Sequence, residues 1–137
     1  MVSIMNKKTL ILVVDDNPDC REILVDFLEH HGFCTISAKS GHEAVECAIR
    51  CQPELVLMDL NMPGMTGYEA TRAIHAHRHG SKIPIVAVSA DCVGSGFEHW
   101  AFKAGFTAFI EKPWEQAALL KVVTKVLTDV VKSTRAA

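Results

Sequence analysis

Apolar residues along this chain come in two alternating patterns. The first is the short unbroken run, seen in Thr9–Val14, Leu55–Met58 and Pro84–Val88. Runs of this length, bounded by turn residues, predict strands buried on both faces, as in a parallel sheet covered by helices. Phe33–Ala38, with β-branched Thr35 and Ile36, and Thr107–Ile110 predict two more strands. The second pattern has helical spacing. It appears in Ile23, Leu24, Phe27 and Leu28, in Ala44, Val45, Ala48 and Ile49, and in Leu120, Val123, Leu127 and Val130. Strand and helix thus alternate five times, which defines a doubly wound α/β domain. Right-handed crossovers leave few strand orders, and 2-1-3-4-5 is one of them.

Local signals set the element ends. Asn17-Pro18 suits a helix cap and first position, and Gly32 after His31 suits its stop. Ser40-Gly41-His42-Glu43 and Thr66-Gly67-Tyr68-Glu69 both read as capping boxes. Gln52-Pro53 ends the second helix, and the third is expected to run to about His79 before Gly80. Ser95-Gly96-Phe97-Glu98 opens a fourth helix that stops at Gly105, and the last spans Trp114 to Val131. Residues 1–8 read as a flexible leader, 9–132 as one domain and 133–137 as a frayed tail. No repeat, linker or second domain is visible.

Composition narrows the class. At 137 residues with 49% hydrophobic content, the chain can bury a full core of its own. A formal charge of −2 argues against a nucleic-acid partner, which calls for a basic stripe. No apolar run approaches the ~18 residues of a membrane span, and no signal peptide opens the chain, so a cytoplasmic protein is expected. The five cysteines contain no CxxC pair and predict no disulfide framework. Cys47 and Cys51, one helical turn apart, read as packed thiols rather than a metal pair. His75 and His79 share a helix spacing that could ligate a metal, but no third ligand accompanies them. Trp100 and Trp114 read as core or rim aromatics.

The chemistry gathers where the strands stop. Asp15-Asp16, Asp59, Ser89 and Lys112 each follow or close an apolar run, so all can meet above one sheet edge. Two like charges ~4 Å apart cost about 4 kcal/mol at an effective dielectric near 20, so such a cluster needs a counter-charge. A hard divalent cation or the Lys112 ammonium answers that need. Carboxylates, cation, hydroxyl and ammonium together suit a phosphoryl group, with Asp59 as the nucleophile.

Four motifs carry a family resemblance. Val13-Val14-Asp15-Asp16-Asn17, Val56 to Gly67 around Asp59, Val88-Ser89-Ala90 and Phe109-Ile110-Glu111-Lys112-Pro113 resemble the motif set of response-regulator receiver domains. The resemblance runs from about Leu10 to Val131. It implies a flavodoxin-like fold of order 2-1-3-4-5, Mg²⁺ as cofactor, and Asp59 as phosphoacceptor from a histidine kinase or histidine phosphotransfer protein. It also implies Asp15, Asp16, Asp59 and the Asn61 carbonyl as the metal set. Ser89 and Lys112 would be phosphoryl ligands, Phe109 the switch aromatic, and Lys112-Pro113 a cis peptide. The output would be a protein-interaction surface near helix 4, strand 5 and helix 5. The chain departs from the pattern in a spacing from Ser89 to Lys112 about one residue longer, in glycines at Gly94 and Gly96, and in Asp91 near the mouth.

Two rivals share these features. An aspartate-nucleophile phosphohydrolase would want a second acid two residues after Asp59, where Asn61 stands. A pseudo-receiver would be expected to lack Asp59, the acidic pair or Lys112, and all are present.

Overall fold

Apolar runs with no polar face are satisfied only in a sheet covered on both sides. The structure, a computed structural model, describes residues 8–90 and 97–136. Its five strands are β1 (Leu10–Val14), β2 (Cys34–Ala38), β3 (Leu55–Asp59), β4 (Ile85–Ser89) and β5 (Ala108–Glu111). They pair in parallel in the order β2-β1-β3-β4-β5. Between and after them lie α1 (Pro18–His30), α2 (Gly41–Cys51), α3 (Gly67–Ala76), α4 (Phe97–Lys103) and α5 (Gln116–Ala136).

Strand alternation sorts the core into two layers. Leu12, Val14, Val56, Met58, Ile85 and Ala87 pack with Ala44 and Ala48 of α2, Ala70 and Ile74 of α3, and Ala101 of α4. Ile11, Val13, Leu55, Leu57, Val86 and Val88 face the other way, onto Leu24, Phe27 and Leu28 of α1 and Leu119, Val123 and Val126 of α5. Every residue of β3 and β4 is buried, which is why neither run shows alternation.

Several ends differ from the sequence reading, each for a local reason. Helix α3 stops at Ala76, because His77 adopts an extended conformation and Gly80 folds back over the carbonyl of Ile74. His79 is therefore off the helix, and the His75/His79 pairing does not exist there. Instead, a ring nitrogen of His75 lies 2.9 Å from the Ile83 carbonyl. At α2 the box is half made: Ser40 accepts from the Glu43 amide, but Glu43 accepts from Lys39 rather than from Ser40. Thr66 and Glu69 form the full box at α3. Ile23, expected on the buried face of α1, is 59% exposed. Strand β5 sits one residue later than its pattern suggested, and α5 starts at Gln116 and stays helical to Ala136. Asp91, Gly94 and the Ser95-Gly96 helix start lie outside the described residues.

Gly67, the first residue of α3, donates its amide to the Leu60 carbonyl at 3.0 Å. A Cβ there would run into the Asp59 carbonyl and stand 2.9 Å from Leu60 Cα. The close approach ties α3 to the end of β3, where Asp59 sits. Gly67→Ala is expected to lower stability by on the order of 1–3 kcal/mol through overpacking against main chain. Chemical denaturation of the two proteins measures it, and an unchanged midpoint would refute the tight contact.

Candidate functional site

Parallel strands end together, and here the ends carry charge. Asp15 follows β1, Asp59 closes β3, Ser89 closes β4 and Lys112 follows β5. Register aligns them: Val14 pairs with Met58, Asp59 with Val88, and Ser89 with Glu111. The Asp15 amide extends the ladder to the Ala38 carbonyl, and the Lys112 amide extends it to the Ser89 carbonyl. Asp15, Asp59 and Ser89 are buried, while Asp16 is exposed at the rim.

The Lys112 ammonium donates to Asp15 Oδ2 at 2.8 Å and lies 3.7 Å from Asp59 Oδ1. Asp15 Oδ1 accepts from the Asn17 amide at 2.9 Å. Asn17 in turn caps α1, accepting from the amides of Asp19 and Cys20. The Asn61 amide donates to Asp59 Oδ1 at 3.4 Å, so the turn after β3 is bent over its own carboxylate. The Lys112-Pro113 peptide is cis. Phe109 in β5 is half-buried against the apolar layer that holds Ala87 and Phe106.

The electrostatics are unbalanced. Asp15, Asp16 and Asp59 bring one oxygen each to within 4.8 Å of one another, and among the described residues the Lys112 ammonium alone forms ion pairs with them. Burial pushes the Asp59 carboxyl up to about 6, with Asp15 and Asp16 adding to the rise and Lys112 and the Asn61 amide opposing it. Burial alone would pull Lys112 down. The Asp15 hydrogen bond and the Asp59 charge overcome it and hold the ammonium above its ordinary range. The donor set is all oxygen, with an excess of negative charge. That fits a hard divalent cation such as Mg²⁺.

Asp15, Asp59, Ser89 and Lys112 therefore stand at one edge as the sequence reading placed them. Arg21 escaped that reading. Its guanidinium donates to the Asp15 carbonyl at 2.7 Å, holding the acidic turn from the first turns of α1. A basic residue near a helix N-terminus, where the dipole favours acids, was the signal available.

Comparison with known proteins agrees with this geometry. The profile of the response regulator receiver domain matches residues 11–124. Protein PilH of Pseudomonas aeruginosa is 34% identical over 117 residues, covering 85% of this chain and 96% of PilH. Sensor histidine kinase GacS of Pseudomonas protegens is also 34% identical over 119 residues, but the match spans only 13% of that longer protein. Among solved structures, the receiver domain of sensor histidine kinase PA1611 of Pseudomonas aeruginosa PAO1 superposes with a TM-score of 0.81 at 30% identity. It covers 89% of this chain and 99% of that one, and it holds a magnesium ion in its active-site cleft. This chain belongs to the response regulator receiver domain family.

Because Asp59 is raised from 3.8 to about 6, the folded state holds this proton more tightly than the unfolded chain does. The resulting stabilisation is full below pH 3.8 and lost as pH rises through about 6. In metal-free buffer well above pH 6, Asp59→Asn is expected to be the more stable protein. The gain should be about 1–2 kcal/mol once solvent screening is allowed for, and it should vanish towards pH 4. Thermal melts across pH test this, and a variant no more stable at high pH would show that the acidic cluster carries no strain.

Proposed function

We propose that the chain is the phosphoacceptor of a two-component or phosphorelay system. Asp59 would receive a phosphoryl group from the phosphohistidine of a histidine kinase or a histidine phosphotransfer protein in the cytoplasm. The observation that carries this reading is the position of Asp59. It lies at the end of a buried strand, among three convergent carboxylates, and 3.7 Å from an ammonium already engaged by Asp15.

In the transfer, an Asp59 oxygen forms a bond to phosphorus as the bond to the donor's imidazole nitrogen breaks, and the electron pair returns to the ring. Lys112, on the same sheet edge, turns from the carboxylates to the new phosphoryl oxygens. Ser89, one strand away, donates its hydroxyl to another. Asp15, Asp16, Asp59 and the Asn61 carbonyl would hold Mg²⁺, which supplies neutralising charge at the phosphoryl oxygens. Asn17 and Arg21 hold Asp15 in place through its carboxylate and its carbonyl. The role is that of a signalling phosphoacceptor that assists its own phosphorylation and dephosphorylation.

Phosphorylation replaces the single Asp59 charge with ~1.5–2 negative charges on a phosphoryl group beside a buried serine. Movement of Ser89 towards them opens space for the half-buried Phe109 to turn inward. The face near α4, β5 and α5 then changes, and Phe102, close to Ala108 and Phe109, already stands exposed there at 75%. A pseudo-receiver reading is disfavoured by the assembled carboxylates and lysine. A phosphohydrolase reading is disfavoured by Asn61, which cannot shuttle a proton two residues after the nucleophile.

Incubation with Mg²⁺ and acetyl phosphate is expected to add one phosphate-sized mass that is hydroxylamine-labile and absent in Asp59→Ala. Lys112→Ala should slow its formation on the order of a hundredfold. No mass gain, with beryllofluoride and Mg²⁺ also failing to bind, would instead support an interaction module that is never phosphorylated.

A further inference from the structure

The end of the sheet opposite the acidic edge carries a groove of about 470 Å³. Its origin is a mismatch of lengths. Helix α5 has 21 residues and rises about 30 Å, whereas the five-residue strands span only ~17 Å. The helix starts at the acidic edge, runs back along the sheet and outruns it. Val130 and Val131 are left 38% and 50% exposed beyond the last strand residue they could cover.

The groove lies between this overhang and the segments that lead into β1, β3 and β4. Pro53, Ile83, Pro84, Leu127, Val130 and Val131 supply its apolar surface. Arg78, His79 and Lys82 line it from the turn between α3 and β4, opposite one carboxylate, Glu54. Glu54 is already engaged, accepting from the Leu10 amide at 3.3 Å. Among the described residues, neither Arg78 nor Lys82 forms an ion pair.

We propose that this groove binds a small amphiphilic anion, an aliphatic chain ending in a carboxylate. The volume lies within the range of small-molecule sites, and the apolar wall takes the chain out of water. The unpaired cations beside that wall supply the complement to a negative head. A neutral chain would leave them unused, and a cationic one would be repelled. Strand length separates this site from Asp59, so the inference stands or falls apart from the phosphoacceptor reading.

The test is titration of the ¹⁵N-labelled full chain with octanoate below its micellar concentration, beside 1-octanol. Two surface variants accompany it, Arg78→Glu with Lys82→Glu, and Val131→Glu. Their folding is checked by an unchanged mass gain at Asp59 or, independently of phosphorylation, by an unchanged melting curve. The expected result is saturable shifts confined to Thr9, Glu54, Ile83, Leu127 and Val131. Binding should be about tenfold weaker for octanol and for the charge-reversed variant. Non-saturating shifts, shifts centred on Trp100 and Phe102, or equal affinity after charge reversal would overturn the proposal. So would binding that appears only after residues 1–7 are removed, which assigns the groove to the chain's own N-terminal segment. A concentration-dependent dimer abolished by Val131→Glu would overturn it in favour of a second copy.

Discussion

Lys112 holds Asp15 at 2.8 Å and Asp59 at 3.7 Å, and this one ammonium is set against three carboxylates at the edge of a sheet. In a low-dielectric setting such a cluster is unfavourable, and its cost is borne by the packing beneath it. β1, β3 and β4 end in register under the charges, with almost every side chain below them removed from water. Those apolar layers are what allow an unbalanced polar site to persist in a folded protein. The arrangement favours whatever brings positive charge to the site, or takes negative charge out of the carboxylates.

The supports of the site are local and redundant. Asn17 does two jobs, capping α1 through its side chain and donating its amide to Asp15. Arg21 reaches back to the Asp15 carbonyl, so the acidic turn is held from both sides. Gly67 lets α3 start directly against the main chain of Asp59 and Leu60, which no larger residue could do. The fold thus places the starts of α1 and α3 around the Asp15 and Asp59 carboxylates. Phe109, in the edge strand β5, is only half-buried.

The two ends of the sheet have different characters. The carboxyl end concentrates charge in a tight polar cluster, while the amino end leaves an apolar groove under the overhang of α5. Charge repulsion governs one and surplus helix length the other. They share the strands between them and no side chain, so each can be changed without dismantling the other.

Much of this was legible in the order of residues. Unbroken apolar runs, with Pro and Gly between them, announced buried strands because a strand hidden on both faces has no reason to alternate. The four motifs placed Asp15, Asp16, Asp59, Ser89 and Lys112 at strand ends, and parallel pairing then had to bring those ends together. What the sequence could not decide depended on which groups the packed elements bring into contact. Helix α3 ends at Ala76 because Gly80 packs onto Ile74 and Ile49, a contact no local propensity encodes. Ile23 fits the helical pattern yet faces solvent, because burial depends on which neighbour covers it. Arg21 reaches the Asp15 carbonyl, six residues earlier, through the particular path of the turn between β1 and α1. The split of Lys112 between two carboxylates, and the rise of Asp59 to about 6, are likewise properties of distance and burial. Sequence determined which groups would meet; tertiary packing decided how closely, and in what charge state.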